Sequence, residues 1–151
     1  MKLLLADDHL LTLQGIRSVL EEVDDIKIVA ETRSGAEVPR LVDRTKPDML
    51  VMDVRMPGLD GLAVLDIVRR HNPEVKVVLL SAYGEPRQIQ DALERGATAY
   101  ADDHDAGVFD SGKGEEAAYF VLRDRVHDPA VKAPSTRSNS PHHSAGARFR
   151  R

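Results

Sequence analysis

Asp7, Asp8 and Asp53 are the residues of this chain whose type and setting allow chemistry. The stretch Lys2 to Ala6 is largely apolar and ends at the Asp7-Asp8 pair, and Met49 to Met52 ends at Asp53 within DMLVMDVRMPGLDG. Continuous apolar runs of this length read as buried parallel strands. Open α/β sheets place their chemistry just past the carboxyl ends of such strands. Carboxylates that converge there repel one another, and one stays protonated unless a cation sits among them. Mg2+ suits the task, being a hard ion that takes oxygen ligands, keeps several waters and pairs carboxylates with phosphate oxygens. A carboxylate held in line beside it can attack a phosphoryl group and form an aspartyl phosphate, the metal neutralising charge on the transferred group. Ser81 closes a further apolar run, Val75 to Leu80, from which its hydroxyl can donate to a phosphoryl oxygen.

The intervening sequence supplies elements that position these groups. After the first strand, Leu13, Ile16, Leu20 and Val23 recur at helical spacing, and Asp24-Asp25 ends that helix. Ile26 to Ala30 is a second strand. Ser34 with Glu37 forms a capping-box pattern for a second helix, with Val38, Leu41 and Val42 facing inward. Pro39 is expected to kink or delay that helix. Leu62, Leu65 and Val68 mark a third helix that stops near Asn72-Pro73. Pro86 opens a fourth, with Ile89, Ala92 and Leu93 inward and Gly96 at its end, and Thr98 to Ala101 is a fifth strand. Alternating strands and helices predict an α/β, flavodoxin-like, doubly wound five-stranded parallel sheet. Right-handed crossovers favour the order 2-1-3-4-5, whose switch point lies between the strands ending in Asp7-Asp8 and Asp53.

Composition narrows the setting. At 151 residues the chain is long enough for a sizeable core, and it contains no Cys for disulfides or thiolate ligands. No signal peptide or membrane-spanning run is evident, so a cytoplasmic location is expected. The net charge of -4 is split unevenly. From Pro129 onward there are five basic residues and no acidic ones, whereas the rest carries sixteen basic against twenty-five acidic residues.

Together, Asp7-Asp8, LVMDVRMPGLDG around Asp53, Ser81-Ala82 and GATAY from Gly96 to Tyr100 resemble the receiver domain of two-component response regulators. The resemblance covers Met1 to about Ala101 and is closest to receivers that precede a helix-turn-helix effector. It implies that Asp53 is the phosphoacceptor, phosphorylated by a sensor histidine kinase with Mg2+ as cofactor. It further implies that Asp7, Asp8, Asp53 and the Arg55 carbonyl hold the metal. Ser81 would be the switch hydroxyl and Tyr100 the switch aromatic, with Arg55 and Tyr83 tuning phosphoryl lifetime. A homodimer through the helix four–strand five face would be the response.

The chain departs from that family at one charge. The family's lysine, three residues past the aromatic, is Asp103 here, preceded by Asp102. At about 5 Å and an effective dielectric near 20, a unit charge is worth roughly 3 kcal/mol. The swap is therefore expected to disfavour the phosphorylated active state, unless Lys113 swings back to replace the lysine. Beyond it, His104 to Gly114 reads as a long Gly- and Asp-rich stretch, and Glu115 to Val126 as a weak helix completing a receiver over residues 1–127. Residues 128–151 read as a basic, disordered tail with no effector domain. With no helix-turn-helix, nucleic acid is not expected as a partner. Whether residues after about Ala101 are native family sequence or a shifted reading frame is left open.

Three other signals carry less. His9 follows the acidic pair but reads as solvent-exposed, and His142-His143 lies in the tail. GVFDSGK from Gly107 to Lys113 only superficially fits a phosphate loop, since Gly114 stands where Ser or Thr is needed. A phosphohydrolase would want an acid/base carboxylate two residues past the nucleophile, and position 55 is Arg, so no enzyme activity is expected. The remaining rival is a pseudo-receiver, an interaction module that signals without phosphate.

Overall fold

The computed structural model describes residues 1–20, 26–82, 84–102 and 107–110, in the last four and at Val19 and Asp102 as backbone only. Val23, Tyr83, Asp103, Lys113, the helix expected over Glu115 to Val126 and the basic tail lie outside the described residues.

The chain runs β1 (Lys2–Ala6), α1 (Leu10–Leu20), β2 (Lys27–Thr32), α2 (Val38–Thr45), β3 (Met49–Asp53), α3 (Gly61–His71), β4 (Lys76–Ser81), α4 (Pro86–Glu94), β5 (Ala99–Asp102) and β6 (Gly107–Asp110). The sheet order is β2-β1-β3-β4-β5-β6. The first five strands are parallel in the expected order. The sixth was not expected. It pairs antiparallel with β5, from Ala99↔Asp110 to Asp102↔Gly107. The first four residues of the phosphate-loop lookalike are therefore a strand. The expected Gly- and Asp-rich stretch gives way there because β5 would otherwise present a row of open N–H and C=O groups.

Alternating residues of the inner strands feed two apolar layers, as the period of two requires. Leu4, Ala6, Leu50, Met52, Val77, Leu79 and Tyr100 join Val38, Leu41 and Val42 of α2, Val64, Leu65 and Val68 of α3, and Ile89 and Ala92 of α4. Leu3, Leu5, Met49, Val51, Val78 and Leu80 join Leu13, Ile16 and Leu20 of α1.

Two helix starts differ from expectation. Ser34 makes no side-chain cap, so the capping box does not form. The Glu37 carboxylate accepts instead from the Thr32 hydroxyl, and a 3-10 turn at Gly35–Glu37 leads into α2. Pro39 falls in the first turn of α2, where its missing N–H is not needed, and it delays the helix rather than kinking it. At α3 the cap is Asp60, whose side chain accepts from Ala63 N at 2.8 Å.

Gly61, the first residue of α3, fixes the exit from β3. Its N–H donates to the Val54 carbonyl at 2.7 Å. A Cβ at this position would lie 2.8 Å from Val54 Cα and 2.9 Å from the Asp53 carbonyl oxygen. Gly61→Ala therefore forces backbone apart at the end of β3. It should cost about 1–3 kcal/mol in urea unfolding, read as a lower midpoint with an unchanged slope.

Candidate functional site

The parallel ladder assembles the acidic group. Ala6 pairs with Met52 across β1 and β3, which sets Asp7 level with Asp53. The Asp7 N–H donates to the Thr32 carbonyl at 3.1 Å, tying the start of the loop to β2. One ligand atom from each of Asp7, Asp8, His9 and Asp53 lies within 4.8 Å of all the others. The three expected carboxylates therefore meet.

Their burial is graded. The Asp7 side chain is 3% exposed, Asp53 13% and Asp8 34%. Burial is the main cause raising the Asp53 pKa above 3.8, reinforced by the charges of Asp7 and Asp8 and opposed by a hydrogen bond from Arg55 N. That bond reaches Asp53 Oδ1 at 3.2 Å.

His9 is the residue that sequence reasoning undervalued. Its side chain is 70% exposed, yet Nδ1 lies 3.1 Å from Asp7 Oδ1, 3.0 Å from Asp8 Oδ1 and 3.9 Å from Asp53 Oδ2. The hydrogen bond to Asp7, then the charges of Asp8 and Asp7, raise its pKa above 6.5. Its position directly after the acidic pair was the available signal. When protonated, the imidazole sets a positive charge against the cluster. Asp8 Oδ1, 3.0 Å from His9 Nδ1, is shielded from solvent and accepts no hydrogen bond. A carboxylate oxygen without a hydrogen bond beside two more carboxylates is a donor set that fits a hard divalent cation.

The other expected residues surround this group. Asp53 pairs with Leu80 across β3 and β4, and Ser81, 4% exposed, comes one residue later. Arg55 lines a cleft with Glu85, Arg87, Gln88 and Asp91. Tyr100 is wholly buried, and its hydroxyl donates to Gln88 Oε1 of α4 at 3.3 Å. Asp102 closes β5 opposite Ser81, with Asp103 next in sequence.

This fold, with its carboxylates at the switch point of the sheet, is that of a signalling receiver. Residues 3–102 match the response regulator receiver domain family, and the chain belongs to it. The transcriptional regulatory protein YhcZ of Bacillus subtilis is 35% identical over 100 residues, covering 66% of this chain and 47% of YhcZ. The chain therefore spans about half the length of such regulators. The chemotaxis protein CheY of Listeria monocytogenes is 34% identical over 97 residues, 64% of this chain and 81% of CheY. Among solved structures, the signal receiver domain of NarL from Mycobacterium tuberculosis superposes with a TM-score of 0.63 at 33% identity, covering 66% of this chain and 80% of that one. The family match ends at residue 102, one residue short of Asp103.

The charge pattern sets a pH dependence. Because Asp53 is raised in the fold, the folded state holds its proton to higher pH than the unfolded chain does. Stability of the metal-free protein therefore falls as pH rises above 3.8 through the folded Asp53 value. His9, also raised, contributes stability that is complete below 6.5 and is lost as pH rises through its folded value. Thermal unfolding in a chelator should show both losses, and Asp53→Asn should remove the lower one. Mg2+ at about 100 times its Kd should restore roughly 2.7 kcal/mol near neutral pH.

Proposed function

We propose that this chain is a phosphoacceptor receiver whose Asp53 takes a phosphoryl group from a sensor histidine kinase. The observation that carries this is the meeting of the Asp7, Asp8 and Asp53 ligand atoms within 4.8 Å. An Asp53 oxygen attacks phosphorus, the bond from phosphorus to the donor's histidine nitrogen breaks, and that nitrogen keeps the electron pair. Asp7, Asp8, Asp53 and the Arg55 carbonyl would hold Mg2+, which when bound offsets charge on the transferred group. Ser81 then donates its hydroxyl to a phosphoryl oxygen, and Tyr100 relays the change through Gln88 to α4. The α4–β5 face is where a second copy would pair. Among the described residues no helix is long and apolar enough to cross a membrane.

Asp103 stands where the family carries a lysine. A negative charge there opposes a dianionic phosphoryl group, so phosphorylation couples weakly to the active conformation. The same residue favours a second reading, an interaction module that signals without phosphate.

Incubation with Mg2+ and acetyl phosphate should add the mass of one phosphoryl group in the native protein and none in Asp53→Asn. Absence of any Asp53-dependent gain would leave the phosphate-free module as the better account. The beryllofluoride analogue should shift oligomeric state little in the native chain. It should shift it about tenfold more strongly in Asp103→Lys, where roughly 1.4 kcal/mol of the lost coupling returns.

A further inference from the structure

We propose that Arg33 is the cation that receives the anionic phosphoryl donor at this site, a role that rests on the receiver reading above. Three carboxylates against one divalent ion and a protonated His9 leave the site about neutral, with no positive charge to spare for an anionic phosphoryl donor. The nearest lysine position of the family is acidic here, at Asp103. A further positive group is therefore needed at the mouth of the cluster for an anion to enter it.

Arg33 follows directly on β2, the strand beside β1. Its Nε donates to the backbone carbonyl of Asp8 at 3.0 Å. That single bond anchors the guanidinium to the residue whose side chain forms part of the acidic cluster. The two Nη groups share a carbon with Nε, so they stand one guanidinium's width from the Asp8 carbonyl. Arg33 is exposed, and its Nη groups have no hydrogen bond or ion pair to any described residue. Of the other arginines near the sheet's working end, Arg17 pairs with Glu31 at 3.0 Å, and Arg55 and Arg87 line the cleft at α4.

A planar guanidinium held at one nitrogen and free at two matches the geometry of a phosphate's paired oxygens. The contact at Asp8 also removes part of the rotamer freedom that a free surface arginine would lose on binding. Lysine at this position could supply charge but not the fork, and it could not keep the Asp8 anchor and the anion together with the same geometry. Arg33 thus takes the donor's phosphoryl oxygens on the β1–β2 side of the cluster, opposite to the β5 side where the sequence is acidic.

The test separates anion binding from chemistry. Binding of inorganic phosphate to the Mg2+-loaded native protein is followed by the 15N shift of Arg33 Nε and by titration calorimetry. The proposal expects binding that moves this resonance and weakens about tenfold in Arg33→Gln, with an intermediate loss in Arg33→Lys. Mg2+ affinity and thermal midpoint should be unchanged in both variants. Raised salt should weaken the native protein's phosphate binding and affect Arg33→Gln little. Equal phosphate affinity in native and Arg33→Gln protein, or no phosphate binding by the native protein, overturns it. A loss of Mg2+ affinity in Arg33→Gln matching its loss of phosphate would mean a merely structural role and also overturns it. These outcomes are independent of whether Asp53 becomes phosphorylated. A native protein that binds phosphate through Arg33 but never gains mass at Asp53 would sink the receiver chemistry and leave the Arg33 site standing.

Discussion

Mutual repulsion among carboxylates is the constraint that the rest of this molecule is built to withstand. Asp7 and Asp53 cannot move apart, because the ladder that holds them level, Ala6↔Met52, lies between two strands buried on both faces. Burial first, and then the charges of Asp7 and Asp8, raise the Asp53 pKa, and an imidazole lies over the cluster beside three acidic neighbours. A site under such strain gains from any cation. That is why a metal, a histidine proton and an arginine can all be read from the same few residues.

Rigidity behind the site matches the tension within it. β3 has strand neighbours on both sides, and its end is pinned by Val54 N on the Leu80 carbonyl at 2.8 Å and by Gly61 N on the Val54 carbonyl at 2.7 Å. Strain of this kind cannot relax by backbone drift in β3. It has to be taken up by side chains and by the segments leaving β4 and β5. Tyr100 sits on that route, its ring in the apolar layer and its hydroxyl on α4. A buried phenol with a hydrogen-bond partner is stable where it is, so its movement must displace or carry Gln88.

Most of this was legible in the sequence. The five parallel strands could be read because four-to-six-residue apolar runs recur with helical stripes between them, and chain handedness left few strand orders, of which 2-1-3-4-5 is a common one. The acidic triad could be read because each member closes such a run. What escaped reading depended on contacts that no local pattern encodes. Ser34 and Glu37 have the spacing of a capping box, but Thr32 lies within reach of Glu37 and takes its carboxylate. His9 looked like a surface residue, and by exposure it is one. Its importance comes from Asp53, forty-four positions away in sequence and 3.9 Å away in space. β6 was missed because four residues are too few to show a period and because their neighbours, rich in Gly and Asp, argue for a loop.

That short strand has a bearing on how the molecule meets its surroundings. With β4 on one flank and β6 on the other, β5 has backbone partners on both sides over its four residues. The chain has sealed this flank from its own sequence. What β6 offers outward is about 13 Å of backbone, four residues where β2 and β4 have six. Lateral accretion of foreign strands, the usual hazard of a sheet that stops abruptly, therefore finds little purchase on this flank.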